Sequence, residues 1–166
     1  TMLGLQLSPR LPEFMEYKAK AEKSYSLKNY NEACEFYQLA HEILPRELNT
    51  QLAYGRALAN SGRYEKAATL LEAYNKFKTN NYLSHAILGY CYYKEGHPDK
   101  AEIEWKKAHS LNDDNLSILF NLAKAYHRLG KKEKMREITE RMKKLESSYK
   151  NIIPLEKKWE SMLDEI

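Results

Sequence analysis

Little in this 166-residue chain interrupts a helix: six glycines and five prolines leave about one strong breaker per 15 residues. Two cysteines build no disulfide framework. No apolar run approaches the ~18 residues of a membrane span. The opening TMLGLQLSPRLPEF has too short an apolar stretch for a signal peptide and no small-residue cleavage site. Thr1 stands ahead of Met2, which suggests a cloning remnant or an excised fragment, with targeting information cut away. Neither sign of charge dominates: 27 Lys and Arg against 23 Asp and Glu leave +4, which implies nothing about nucleic acid. What is present suits one globular domain, with 43% hydrophobic and 30% charged residues. Thirteen tyrosines exceed twice the count of Phe and Trp together. Tyrosine buries a ring and keeps a polar tip, so it favours half-buried seams and binding faces. The composition points to an all-α chain.

The chain repeats itself every 34 residues. Ala33, Ala67 and Ala101 form one column, and Ala21, Gly55, Gly89 and Ala123 form a second. Gly62, Gly96 and Gly130 form a third, so five of the six glycines fall on one grid. Helices pack at ~8–10 Å, and the close end of that range needs small side chains at the crossing. The first two columns supply facing notches. Tyr37, Leu71 and Trp105 lie one turn beyond the alanines and fill the space around them. The third column sits where a left-handed C-cap ends the first helix of each pair. The grid predicts helices at 14–27, 30–44, 47–61, 64–77, 82–95, 98–111, 115–129 and 132–149.

These residues resemble the tetratricopeptide repeat family, whose pattern runs W-x2-L-G-x2-Y, then A-x3-F, then P. The third repeat shows it best, as His85-x2-Leu88-Gly89-x2-Tyr92 and Ala101-x3-Trp105. The first contributes Ala33-x3-Tyr37, Ala40 and Pro45, and the fourth Leu119-x2-Leu122-Ala123-x2-Tyr126. The resemblance implies an all-α, right-handed α-solenoid of about four helix-turn-helix repeats with a C-terminal capping helix. Its divisions are an N-terminal extension or remnant (1–13), four units (14–47, 48–81, 82–115, 116–149) and the cap (150–166). Lys20 and Ser24 stand where the pattern wants apolar residues, so the outer helix of the first unit is expected to be partly exposed. Met135 and Thr139 replace the alanine and aromatic of the fourth, whose second helix keeps an apolar stripe of Met135, Ile138, Met142, Leu145 and Tyr149. Pro154 opens a last segment with Leu155, Trp159, Met162, Leu163 and Ile166 on one face. It reads as the cap that a solenoid needs, or else as a docking helix for another subunit.

Catalytic and metal signatures are missing. The histidines His41, His85, His97, His109 and His127 include no pair four apart, so no zinc pair is visible. His41 and His109 share a column, which marks a repeated structural slot. Cys34 and Cys91 have two whole helices between them and should be free thiols, which leans towards a reducing, cytoplasmic compartment. No phosphate loop or nucleophile elbow occurs, so the chain reads as a non-enzyme without a cofactor.

The family resemblance implies a ligand on the concave face lined by first helices. On this grid that face carries Arg56 and Asn60, then Tyr90, Tyr93 and Lys94, then Phe120, Lys124, His127 and Arg128, with Glu22 and Tyr25 continuing it in the first unit. A basic, aromatic groove suits an extended peptide of acidic and apolar residues, or a free carboxylate; the plainer alternative is that such residues only solvate helix faces. Chaperone-binding members of the family clamp a terminal carboxylate. At the clamp positions this chain has Lys18, Glu22, Ala53, Leu83 and Ile87, of which only Lys18 matches, so that subclass is disfavoured. Residues 124–158 hold twelve Lys or Arg against five Glu, a surface for nucleic acid, anionic lipid or an acidic partner, or a solubilising helix. The expected function is a scaffold or adaptor for a peptide segment of a protein partner. The alternatives are a segment of a larger assembly, with oligomers, and binding of nucleic acid through the basic C-terminal helix, the least favoured.

Overall fold

In the computed structural model, residues 9–148 are described, and among them all regular structure is helical. The helices are α1 (Leu11–Ser26), α2 (Tyr30–Ile43), α3 (Leu48–Asn60), α4 (Tyr64–Phe77), α5 (Tyr82–Lys94), α6 (Pro98–Leu111), α7 (Leu116–Arg128) and α8 (Lys132–Ser148). Seven begin within a residue of their predicted starts. The first starts three residues early because Pro12 sits in its opening turn, where a missing N–H costs nothing. The predicted cap at 150–166 lies outside the described residues. The chain divides into two compact units, 1–77 and 78–166.

A 34-residue period also governs how the helices begin and end. Glu47, Asn81 and Asn115 cap α3, α5 and α7, their side chains accepting the amides of Thr50, of Leu83 and Ser84, and of Ile118. The first helix of each pair ends in a Schellman turn. Arg63, His97 and Lys131 donate their amides to the carbonyls of Leu58, Tyr92 and Tyr126, five residues back. This turn needs one residue in the left-handed region, and Gly62 (φ 80°), Gly96 (φ 84°) and Gly130 (φ 68°) provide it. Between α1 and α2 the same turn forms, with Asn29 donating to Ser24, but Lys28 holds the left-handed position at φ 61°.

Unit 1 packs α1 on α2, α2 on α3 and α3 on α4. Its interior holds Phe14, Ala21, Ala33, Tyr37, Leu58, Ala67, Leu71 and Tyr74. Gly55 meets Leu71 so closely that an added β-carbon would lie 2.8 Å from the leucine side chain. Ser24, expected at an exposed fault, is instead buried, because its hydroxyl donates to the Glu32 carboxylate reaching across from α2 at 2.7 Å. Lys20 is exposed and paired with Glu16.

Unit 2 packs α5 on α6, α6 on α7 and α7 on α8, and α5 also touches α7. Its centre is Trp105, fully buried, whose indole N–H donates to the Ala86 carbonyl at 2.9 Å. A β-carbon on Gly89 would fall 2.6 Å from that indole. His85 is buried between two acceptors, the Glu104 carboxylate at 2.6 Å and the Thr79 carbonyl at 3.0 Å, and so ties the turn before α5 to α6. Met135, Thr139 and Met142 are buried, with Thr139 donating back to the Met135 carbonyl at 2.9 Å, so α8 packs without an alanine notch.

Gly89→Leu is expected to overpack the crossing and cost on the order of 1–3 kcal/mol in urea unfolding; a neutral result would move the crossing elsewhere. Lys28→Gly is expected to raise stability by about 1 kcal/mol in the same assay, because it relieves a left-handed side-chain residue. No gain would mean that the Lys28 backbone is unstrained.

Candidate functional site

The first helices α5 and α7 bring six of the nine expected groove residues together in unit 2. The Lys124 ammonium lies 5.0 Å from the Phe120 ring centroid and 5.5 Å from that of Tyr93. The Arg128 guanidinium covers the same Tyr93 ring at 4.2 Å and donates to the Tyr93 carbonyl at 3.4 Å. Lys94 stands 5.6 Å over Tyr90. The sequence builds this locally: Phe120, Lys124 and Arg128 follow one another at steps of four on α7, and Tyr90 and Lys94 do so on α5. Ring faces hold cations at about 0.5–2 kcal/mol each, which keeps three flexible side chains converged.

Charge at this place is unbalanced. Lys124 is half-buried, and burial, then the positive charges of Lys94 and Arg128, push its ammonium below the ordinary lysine range. Among the described residues, none of the three cations is ion-paired with a carboxylate. His127, the seventh expected residue in this unit, is exposed beside Arg128 in the last turn of α7.

The remaining two, Arg56 and Asn60, meet on one tyrosine of unit 1. The Arg56 guanidinium lies 5.3 Å over the Tyr25 ring, and Asn60 donates its amide to the Tyr25 hydroxyl at 2.7 Å. Tyr30 packs edge-on against Tyr25 at 5.3 Å. Lys18, the one residue that matched a chaperone clamp, lies 3.9 Å from the Glu47 carboxylate. Burial works against charge on Glu47, yet the Thr50 hydrogen bonds and Lys18 hold its carboxyl below the usual range.

Sequence reasoning missed a cleft of about 660 Å³ in unit 1, on the side of its second helices. Tyr54, Leu58 and Gln51 form its buried floor, and Glu42, Glu65 and Lys66 stand on its exposed rim. Only side-chain volumes on three different helices reveal it, which no single motif records. His41 lines it with a buried Nδ1 that lacks a hydrogen-bond partner, but the His109 Nδ1 in unit 2 is in the same state. The shared condition marks a repeated slot rather than a ligand atom. Cys34 and Cys91 are free and buried, and burial pushes both thiols up, that of Cys91 to about 12.

Five cations of the basic C-terminal run, Lys131, Lys134, Arg136, Arg141 and Lys143, are ion-paired within the fold. Glu102 on α6, almost fully buried, receives Lys131, Lys134 at 3.8 Å and Lys106 at 3.4 Å. Arg141 pairs with Asp114 at 2.7 Å, Arg136 with Glu133 at 3.2 Å and Lys143 with Glu140 at 3.4 Å. Periodicity along α8 showed its charge but not the acids that face it from other helices. Among the described residues no helix is long and apolar enough to cross a membrane.

Family models described as tetratricopeptide repeat match residues 48–73 and 116–149. No curated protein matches the chain. Among solved structures, MamA from Desulfovibrio magneticus RS-1 is similar at 16% identity and a TM-score of 0.73, covering 85% of this chain and 78% of its own. The Arabidopsis OM64 TPR domain is similar at 15% identity and a TM-score of 0.65, covering 69% of this chain and 94% of its own. The first TPR of Spaghetti (RPAP3), solved with the HSP90 peptide SRMEEVD, gives 14% and 0.66, covering 70% and 93%. These likenesses and the repeated helix pairs give the fold as an all-α solenoid of helix-turn-helix repeats.

Glu102 sets a pH expectation. Burial opposes its charge, but Lys131 and Lys106 hold the carboxyl below the usual range. Its pairing therefore stabilises the fold above the unfolded value of about 4.3 and is lost as pH falls through the depressed folded value. Thermal unfolding followed from about pH 7 to about pH 3 should show a shallower acid limb in Glu102→Gln than in the wild type. Parallel acid limbs would refute this.

Proposed function

The chain is a tetratricopeptide-repeat protein, and from that premise we propose that it is a non-enzymatic interaction scaffold holding an extended acidic segment of a partner protein on the first-helix face of unit 2. The observation that supports this most directly is the convergence of Lys94, Lys124 and Arg128 on tyrosine and phenylalanine rings with no carboxylate among them. Three like charges raise each other's energy, and an incoming anion relieves that cost while the rings bury its apolar neighbours. Such a face selects by charge and accelerates encounter, with a dependence on salt.

The Spaghetti (RPAP3) repeat domain is bound to a peptide with three acidic side chains among its last four residues. An acidic ligand is carried over to this chain, but not the means of holding it, since Leu83 and Ile87 occupy clamp positions and Lys18 faces Glu47. Arg56 and Asn60 on Tyr25 form a second basic, aromatic place in unit 1, suited to the same kind of segment. Binding of nucleic acid through α8 is the weaker reading, because Lys134, Arg136, Arg141 and Lys143 of that helix pair with Glu102, Glu133, Asp114 and Glu140. Two buried thiols accord with a reducing, cytoplasmic setting.

Titration with a capped peptide of alternating Leu and Glu tests the reading. Lys124→Glu is expected to weaken binding about tenfold or more, the worth of ~1.4 kcal/mol. Circular dichroism should stay unchanged, and Lys132→Glu on the exposed side of α8 should bind as the wild type does. Equal affinity for Lys124→Glu and wild type would sink the proposal.

A further inference from the structure

The face just described carries more positive charge than one carboxylate can balance. Lys94, Lys124 and Arg128 contribute three formal charges, and those acting on Lys124 are both positive. Lys124 and Arg128 both lie within 5.5 Å of one ring centroid, that of Tyr93, and each feels the other's charge. A carboxylate brings one negative charge and two oxygens. A phosphomonoester brings about −1.5 to −2 at neutral pH and three acceptor oxygens. Charge-assisted bonds to such oxygens are the strong ones, and Arg128 offers a planar donor fork for them. The walls are aromatic, so the group must ride on a chain with apolar neighbours rather than arrive as a bare ion.

We infer that the Lys94–Lys124–Arg128 cluster is a subsite for a phosphorylated side chain flanked by apolar residues on the partner segment. The inference rests on the peptide-binding reading above and deepens it by naming the anion. Lys124 occupies the centre of the subsite, with Lys94 and Arg128 on either side. Tyr90, Tyr93 and Phe120 hold these cations in place and pack against the residues next to the phosphate. Phosphorylation of the partner then becomes the event that docks it, since the unmodified side chain leaves all three cations uncompensated.

Three capped peptides of the same leucine-rich sequence, differing only in a central Ser, Glu or phosphoserine, separate the possibilities by calorimetry. The wild-type protein and His127→Gln are titrated in parallel, the second lacking the imidazole beside Arg128. At about pH 7.5 the phosphoserine peptide is expected to bind about tenfold more tightly than the Glu peptide. Near pH 5.5 the phosphate loses most of its second charge, since that ionisation lies near pH 6, and the preference should fall towards unity. The Glu peptide stays ionised throughout, because its carboxyl titrates near ~4.3. Lys124→Met, and separately the exposed Lys94→Met, should each reduce the preference severalfold.

Glu and phosphoserine peptides that bind alike at about pH 7.5, both more tightly than Ser, would overturn the phosphate subsite and leave the acidic groove standing. Three peptides that bind alike would overturn both. Inorganic phosphate that competes with the affinity of the phosphopeptide itself would assign the site to the free anion and overturn its peptide-borne form.

Discussion

The indole of Trp105 lies against the backbone of Gly89 with no room for a β-carbon between them. That contact fixes how near α6 comes to α5, and much of unit 2 follows from the distance. A wide aromatic ring on one helix and a bare backbone on the other bring the pair to the close end of the usual spacing, while the ring fills what would otherwise be a void. The indole N–H then reaches the Ala86 carbonyl, so the polar edge of the ring is satisfied inside the core. In unit 1, Gly55 and Leu71 make the same kind of contact with an aliphatic side chain in place of the ring. A glycine in mid-helix costs about 1 kcal/mol in propensity, and the fit of the neighbouring side chain offsets it.

Tight pairs leave their first helices with a broad outer face, and the tyrosines account for what that face does. Tyr93 illustrates the division of labour. One part of its ring packs at 5.5 Å on Trp105, while the ring face accepts Arg128 and Lys124. The core thereby sets the position of the ring, and the ring sets the positions of the charges. Lysine and arginine have many rotamers, and an exposed cation on a plain helix surface would sample them widely. Anchored on rings that are themselves held by the core, these cations stay in one place, which is the condition for recognising an anion of particular shape.

Most of the fold was legible because it is written in small residues and their spacing. Columns of alanine and glycine at 34 residues gave the crossings, and the third glycine column gave the turns. Where the grid failed, the cause was a partner distant in sequence. Ser24 looked like a fault on a helix face, and only Glu32 on the next helix makes its burial acceptable. Lys28 broke the glycine column, yet hydrogen bonds from both sides hold the same turn. Register alone grouped the expected groove residues, but it could not show that Lys124 and Arg128 share the Tyr93 ring while Lys94 lies over Tyr90, nor that Arg56 and Asn60 meet on Tyr25. A count of charges along the basic run could not show Glu102 on α6, which takes Lys134 of α8 and Lys131 just before it.

The two sets of cations differ in what meets them. Around Glu102, three lysines converge on a buried carboxylate, so the charges belong to the fold. Around Tyr93, cations converge with no acid to meet them, and Lys124 is both half-buried and repelled by its neighbours. Folding gains the ring contacts of Lys124 but also carries its repulsion: exchanging Lys124 for an apolar residue of similar length would keep the packing on Phe120 and Tyr93 and remove the repulsion. In the proposed function, an acidic partner segment would supply the charge that this cluster lacks. The unbalanced charge around Tyr93, more than the likeness of the helices to other repeats, supports α5 and α7 as the proposed working face.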